Sequence, residues 1–398
     1  MKPDIESNLP TESLSFPEGR QLARIFLPAG MIALILTLSG IFFNAERFFY
    51  SWLTGFTFIA SILLGALFFV MVQHVTRSSW SVVLRRIPET ISYQLILLPV
   101  FFIPILFGME YLYEWIRPER IATDELTQHK LPYLNFPFFI LRNILYFIVW
   151  GFLGYKLYKN SIALDHSGDL SLDKKQRVLS APGILLFALT VAFASFDWMM
   201  SMDSHWFSTM FGVYYFSMSF QAALALIVII TLFLIKKTAF SKIINQAHIH
   251  DLGALLFGFT VFYAYIAFSQ FLLIYYANIP EETLWYYYRF EGSWIYLAYL
   301  FLIGRFVLPF ILLLNKRAKS NHALLTGVSI WILFLNFLEM FWIIIPILHK
   351  GAISVHWLDV ASFVGFLCLS IGFFFYLLAQ NSLIPKKDPL LAESLKKH

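Results

Sequence analysis

Ten runs of apolar residues, spaced along almost the whole chain, constrain this sequence more than any other feature. They fall at 21–43, 51–74, 90–112, 136–158, 180–199, 206–235, 250–275, 288–315, 322–347 and 356–380. An α-helix needs about 20 such residues to cross the hydrocarbon core of a bilayer. Because lipid offers the backbone no hydrogen bonds, a chain of such runs must satisfy its N–H and C=O groups within helices. The expected fold is therefore all-α, a polytopic membrane protein with ten transmembrane helices. Charged residues make up only 13% of the chain, against roughly 25% in soluble domains. A soluble enzyme, a disordered chain and a nucleic-acid binder are thereby excluded. The net charge of +5 does not reinstate the last, because the basic residues sit in short loops.

Those loops give the direction of the helices. One side collects 21 Lys and Arg, among them Lys2, Arg85, Arg86, Lys174, Lys236, Lys316, Lys386 and Lys397. The other side has six: Arg47, Arg117, Arg120, Lys130, Arg289 and Lys350. Both termini are expected on the cytoplasmic side. The organisation is then a cytoplasmic tail over 1–20, a membrane domain over 21–380 and a second cytoplasmic tail over 381–398. The polar first 20 residues make the first run a retained helix rather than a cleaved signal peptide. The longest connections, 113–135 and 159–179, are too short for a separate domain, so function must lie in the helices, at their mouths or in docking other subunits.

The lone cysteine, Cys368, rules out an internal disulfide and a Cys-ligated cluster or structural zinc site, and no Cys-x-x-Cys-His motif attaches haem c. None of the ten histidines lies at mid-depth, which argues against a buried bis-histidine haem. His248 and His250 precede Asp251, but residues two apart do not share a helix face, so a polar helix start is expected there rather than a metal. No metal or cofactor is expected in this chain.

Charge inside a membrane is costly and is a functional hypothesis by default. The densest polar group is the hairpin 195–209, with Asp197, Asp203 and His205. Asp203 or Ser204 fits a cap for the sixth span. Asp197 fits proton exchange or a hydrogen bond to a quinol hydroxyl, with His205 as its partner or as an interfacial residue beside a Trp belt. Arg142 and Glu339 lie at similar depth and are a candidate ion pair, the alternative being that each pairs elsewhere, Glu339 with Asn336 for example. Arg305 is placed nearer the cytoplasmic end of the eighth run, on a face shared with Glu291. Tyr263 and Gln270 share one face of the seventh run, and Tyr214, Ser217 and Gln221 one face of the sixth. These stripes suit either a hydrogen-bond path or helix-to-helix glue. The loop 275–289 carries Asn278, Glu281, Glu282, Trp285 and Arg289, a candidate docking surface.

The segment 195–214, Ser-Phe-Asp-Trp-Met-Met-Ser-Met-Asp-Ser-His-Trp-Phe-Ser-Thr-Met-Phe-Gly-Val-Tyr, resembles a hairpin of the F subunit (ActF) of bacterial alternative complex III. The segment 270–285, Gln-Phe-Leu-Leu-Ile-Tyr-Tyr-Ala-Asn-Ile-Pro-Glu-Glu-Thr-Leu-Trp, resembles a later loop of the same family. The likeness covers essentially the whole membrane region. It implies a respiratory quinol:electron-acceptor oxidoreductase complex in the bacterial inner membrane. Its C and F subunits are related to NrfD/PsrC proteins, which implies two four-helix bundles, spans 2–5 and 6–9, flanked by spans 1 and 10. The implied partners are the NrfD-like C subunit, an iron–sulfur subunit, phospholipids and a terminal oxidase, with haem c and iron–sulfur clusters carried by partner chains. The F subunit is implied to be a cofactor-free companion with proton-conducting half-channels. The alternatives are an NrfD-like subunit that oxidises menaquinol itself and a stand-alone proton-coupled transporter.

Overall fold

The structure, a computed structural model, describes residues 14–396. Most of the expected N-terminal tail lies outside these residues, as do Lys2, Lys397 and His398. The described chain contains no strand, and ten of its helices are long and apolar enough to cross a membrane. In chain order they are α1 Gly19–Phe42, α2 Ala45–Val75, α3 Arg86–Phe107, α4 Phe136–Ser167, α5 Ser171–Met202, α6 Met210–Lys237, α7 Gln246–Ala277, α8 Trp294–Leu314, α9 His322–Leu348 and α10 Trp357–Leu378. Each matches one apolar run, and the largest shifts in boundary are the end of α4, nine residues later, and the start of α5, nine residues earlier. The run 288–315 is instead divided. A short helix, Pro280–Phe290, ends at Glu291, and α8 starts only at Trp294. Gly292 sits between them at φ +56°, where a side chain would be strained, so the chain breaks there.

Burial ranks the helices. Inside the chain lie 89% of the most apolar window of α2, 78% of that of α6 and 72% of that of α9, against 44% or less for the others. A helix that is apolar all round needs this enclosure or lipid. The α2 helix packs against α3, α5, α6, α9 and α10, and α6 packs against α2, α5, α7 and α9. The contacts therefore run between the groups 2–5 and 6–9 as well as within them. Close approach of α2 to α6 depends on Gly65, where a Cβ would come within 2.3 Å of the Ser219 carbonyl oxygen. On the periphery α1 lies along α10, with Gly30, Gly365 and Gly372 letting the two backbones touch.

The face carrying both termini is fastened by the C-terminal segment. Leu383 N–H donates to the Leu14 carbonyl at 2.8 Å, Arg85 bonds Asp388 at 2.7 Å, and His248 Nε2 lies 3.1 Å from the Ser394 carbonyl. Residues 381–396 are thus packed onto the helical domain. His248 belongs to the capping of α7 by Asn245, which accepts from the N–H groups of Ala247 and His248, as expected for a polar helix start.

Candidate functional site

Two buried arginine–carboxylate centres stand out, one from α4 and α5, the other from α8 and α9. The pairing differs from the Arg142–Glu339 alternative drawn from depth. Arg142 pairs with Asp197, and Arg305 pairs with Glu339. Depth fixes height along the membrane normal but not the side of the bundle a helix occupies, and α4 packs on α5 while α9 lies with α8, α6 and α2.

In the first centre Arg142 meets Asp197 in a two-pronged bond, Nε to Oδ2 at 2.9 Å and Nη2 to Oδ1 at 2.8 Å. Tyr146 donates to Oδ2 at 2.8 Å, and the remaining Arg142 nitrogen donates to the Tyr133 carbonyl at 2.8 Å. The guanidinium lies 3.8 Å from the Tyr133 ring centroid. Arg142 is six residues, or about 9 Å, from the start of α4. Both carboxylate oxygens are engaged, and Asp197 is fully buried. Around it Trp198 donates to Asn143 at 2.7 Å and Trp150 to Thr190 at 2.8 Å. The arrangement pins the loop 113–135 to α4 and α5.

The hairpin residues split accordingly. His205 bonds Asp124 at 2.6 Å and is not the partner of Asp197. Asp203 accepts from the His205 backbone N–H at 3.1 Å, a local turn, and α6 has no side-chain cap at Thr209, so Asp203 is not the cap of that helix. Two further bonds hold the loop 113–135 over the hairpin: Thr127 to Ser204 at 3.1 Å and Lys130 Nζ to the Ser204 carbonyl at 2.5 Å. Burial pushes the Asp124 carboxyl up, but the hydrogen bonds from Thr127 and His205 outweigh it and leave the group below its ordinary value.

The second centre is fully enclosed. Arg305 and Glu339 each show no exposed surface. Glu339 Oε2 accepts from Arg305, while Oε1 accepts from Tyr214 and, at 2.7 Å, from Tyr263. Arg305 Nε donates to Gln221 at 2.9 Å and Nη2 to Asn336 at 2.9 Å. Gln221 donates to Thr260 at 3.1 Å, and Asn336 donates to Ser61 at 3.0 Å. Five helices, α2, α6, α7, α8 and α9, thus converge on one neutral ion pair. Two of the three residues of the α6 stripe take part; Ser217 instead donates to the Tyr214 carbonyl of its own helix at 2.8 Å.

Arg305 lies eleven residues into α8 and Glu339 nine from the end of α9, so both sit about 14–16 Å from the outer helix ends, close to mid-membrane. Arg305 is eleven residues from the start of α8 and nine from its end, near the middle of the helix and slightly toward the end expected; the break at Gly292 shortens the opposite part of α8. Glu291 is exposed at the end of the preceding short helix and is not on the helix of Arg305. Residues Phe301–Val307 of α8 form a π-helical turn that contains Arg305. Such widened turns recur at functional sites. No periodicity of apolar residues signals one.

Beside this centre lies a cavity of about 520 Å³, in the usual range for small-molecule sites. Tyr214, Tyr263 and Glu339 are among the residues that border it, together with aromatic residues including Phe271, Tyr286 and Trp342. Gln270 stands behind the wall, its amide N–H 3.4 Å from the Tyr286 hydroxyl, and its Oε1 is buried without a hydrogen-bond partner.

The two motif segments meet at the face opposite the described ends of the chain. Trp206 stacks on Trp285 at 4.7 Å, and Arg289 lies 3.8 Å from the Trp285 ring centroid. Arg289 also donates to the carbonyls of Trp285, at 2.8 Å, and Ile343. Burial pulls its pKa down to about 9, against the opposing pull of Asp203. Trp285 and Arg289 are buried within the chain and present nothing to a partner, which corrects their place in a docking surface. Asn278 and Glu281 are exposed and Glu282 is half-buried.

Three further buried ion pairs are not anticipated from the sequence. Arg47 pairs with Asp359 across α2 and α10. Arg86 pairs with Asp165 at 2.5 Å and with Glu89 at 3.3 Å. As loop charges these arginines count only toward orientation. The i, i+3 spacing of Arg86 and Glu89 is the one local signal of an inward pair. Among the described residues no group of three or more His, Cys, Asp or Glu is arranged to hold a metal ion. No protein-family model matches the chain, and no curated protein matches it significantly.

Proposed function

We propose that this chain is the F-type membrane subunit of an alternative complex III, a quinol:electron-acceptor oxidoreductase, and that it contributes a proton-handling centre rather than a redox centre. The reading puts it in the bacterial inner membrane with both termini cytoplasmic. It associates with an NrfD-like C subunit and an iron–sulfur subunit. Haem c and iron–sulfur clusters reside in the partners. The observation that carries the functional part is the Arg305–Glu339 pair, held at mid-depth by hydrogen-bonding side chains from five helices. An ion pair that deep needs full compensation to exist. Here the carboxylate accepts from two tyrosine hydroxyls within a hydrogen-bonded network that reaches five helices, which supports a proton-handling role.

Asp197 supports the structural part. It holds Arg142, whose remaining nitrogen donates to the Tyr133 carbonyl of the loop 113–135, which suits a pin for that loop. Affinity purification of the full chain from its native membrane tests membership of the complex. Haem c absorbance and an iron–sulfur subunit are expected to co-elute. Elution as a lone, fully active transporter contradicts the reading.

A further inference from the structure

The widened turn of α8 leaves one backbone group without a partner in its own helix. The Leu308 N–H donates to the Ile303 carbonyl, five residues back. In an ordinary α-helix that N–H would serve Gly304. In the widened register the Gly304 carbonyl needs the N–H of residue 309, and that residue is Pro309, which has none. Gly304 is buried, and an unpaired carbonyl inside a membrane domain carries a desolvation cost.

The missing donor comes from the next helix. Trp331 of α9 donates its indole N–H to the Gly304 carbonyl at 2.8 Å. An indole N–H only donates, so it suits a lone acceptor. Glycine at 304 lets the ring approach, since a Cβ there would lie 3.2 Å from Trp331 Cζ2. Trp331, Leu335 and Glu339 follow one another at intervals of four and share a face of α9. That face grips two adjacent residues of the widened turn: Trp331 holds Gly304, and Glu339 holds Arg305.

We infer that Trp331 is a positioning residue for the enclosed ion pair. Its N–H replaces the backbone donor that Pro309 lacks, and the bond holds the turn in the register that aims Arg305 at Glu339. Without it the turn has to shift to pair the Gly304 carbonyl, and Arg305, one residue on, moves with it. The inference rests on the reading of Glu339 as the functional centre only for its consequence in the complex. Its test uses no proton translocation, so the two fail separately.

The test is a mutant cycle on the purified full chain, unfolded reversibly by SDS in mixed micelles. Trp331→Phe keeps an aromatic ring and removes the donor. It is expected to lower the folding equilibrium constant about tenfold, the effect of one buried carbonyl left unpaired. Pro309→Ala restores a backbone N–H, which satisfies the Gly304 carbonyl from within α8. In that background the same Trp331→Phe change is expected to cost no more than about twofold. An equal cost in both backgrounds makes Trp331 a packing residue and overturns the inference. If Trp331→Phe alone does not fold, recovery of folding in the double variant supports the bond, and no recovery overturns it. The second readout is the magnetic-resonance contact between 15N-labelled arginine and 13C-labelled glutamate that Glu339→Gln abolishes. It is expected to weaken at least about twofold in Trp331→Phe and to return in the double variant, as for coupled neighbours. A contact of full strength in Trp331→Phe overturns the positioning role.

Discussion

The two arginine–carboxylate centres share their parts and differ in their surroundings. Each joins an arginine to a carboxylate on the next long helix, each carboxylate accepts from tyrosine hydroxyl, and each guanidinium lies over a tyrosine ring, 3.8 Å from Tyr133 and 4.4 Å from Tyr263. Arg142–Asp197 sits near the outer end of α4 and spends its spare donor on a loop carbonyl. Arg305–Glu339 sits near mid-membrane, receives polar groups from five helices and borders a cavity. The same chemistry serves as a fastener where it is closed in by a loop. On the proposed reading it becomes a site where a cavity borders the pair.

Removing one carboxylate at a time sharpens the contrast most. Glu339→Ala strands Arg305 with no surface to reach, and a loss of about 3–5 kcal/mol is expected, as for other broken buried pairs. Asp197→Ala strands Arg142 within reach of the outer interface, where its long side chain can rehydrate, so the loss is expected to be clearly smaller. Thermal unfolding of the purified variants in one detergent measures both. Equal losses would break the distinction in depth.

A smaller effect concerns the loop over the first centre. Asp124 has a lowered pKa in the folded chain, so the stabilisation it lends is present above its unfolded pKa and is lost as pH falls through the lower folded value. Amide exchange in residues 113–135 is therefore expected to stay slow at about pH 5 and to quicken only below the ordinary carboxylate range near pH 4. Loosening of the loop already at about pH 6 contradicts the Asp124–His205 bond as its fastener.

Much of this was legible before any coordinates. Ten helices follow from ten apolar runs, because hydropathy over about 20 residues is a property of the segment itself. Arg142, Asp197, Arg305 and Glu339 are visible as misplaced charge. Their pairing is not, since it depends on how helices are arranged around one another, and neither is the pairing of His205 with Asp124, a residue 81 positions away. Trp285 and Arg289 read as surface anchors because a loop of aromatics looks the same whether it faces a partner or its own chain. The π-helical turn and the cavity arise from backbone register and packing, which no residue pattern records.

The central claim is that the enclosed pair does the work and the outer pair holds the frame. Neutral double variants test it without stranding a charge, because replacing both members of a buried pair is often tolerated. Proton translocation by the assembled complex in vesicles is the measurement, for Arg305→Met with Glu339→Gln and for Arg142→Met with Asp197→Asn. The account predicts that the first combination assembles but loses translocation, while the second assembles and keeps it. Full translocation in the first, or its loss in the second alone, would contradict the account.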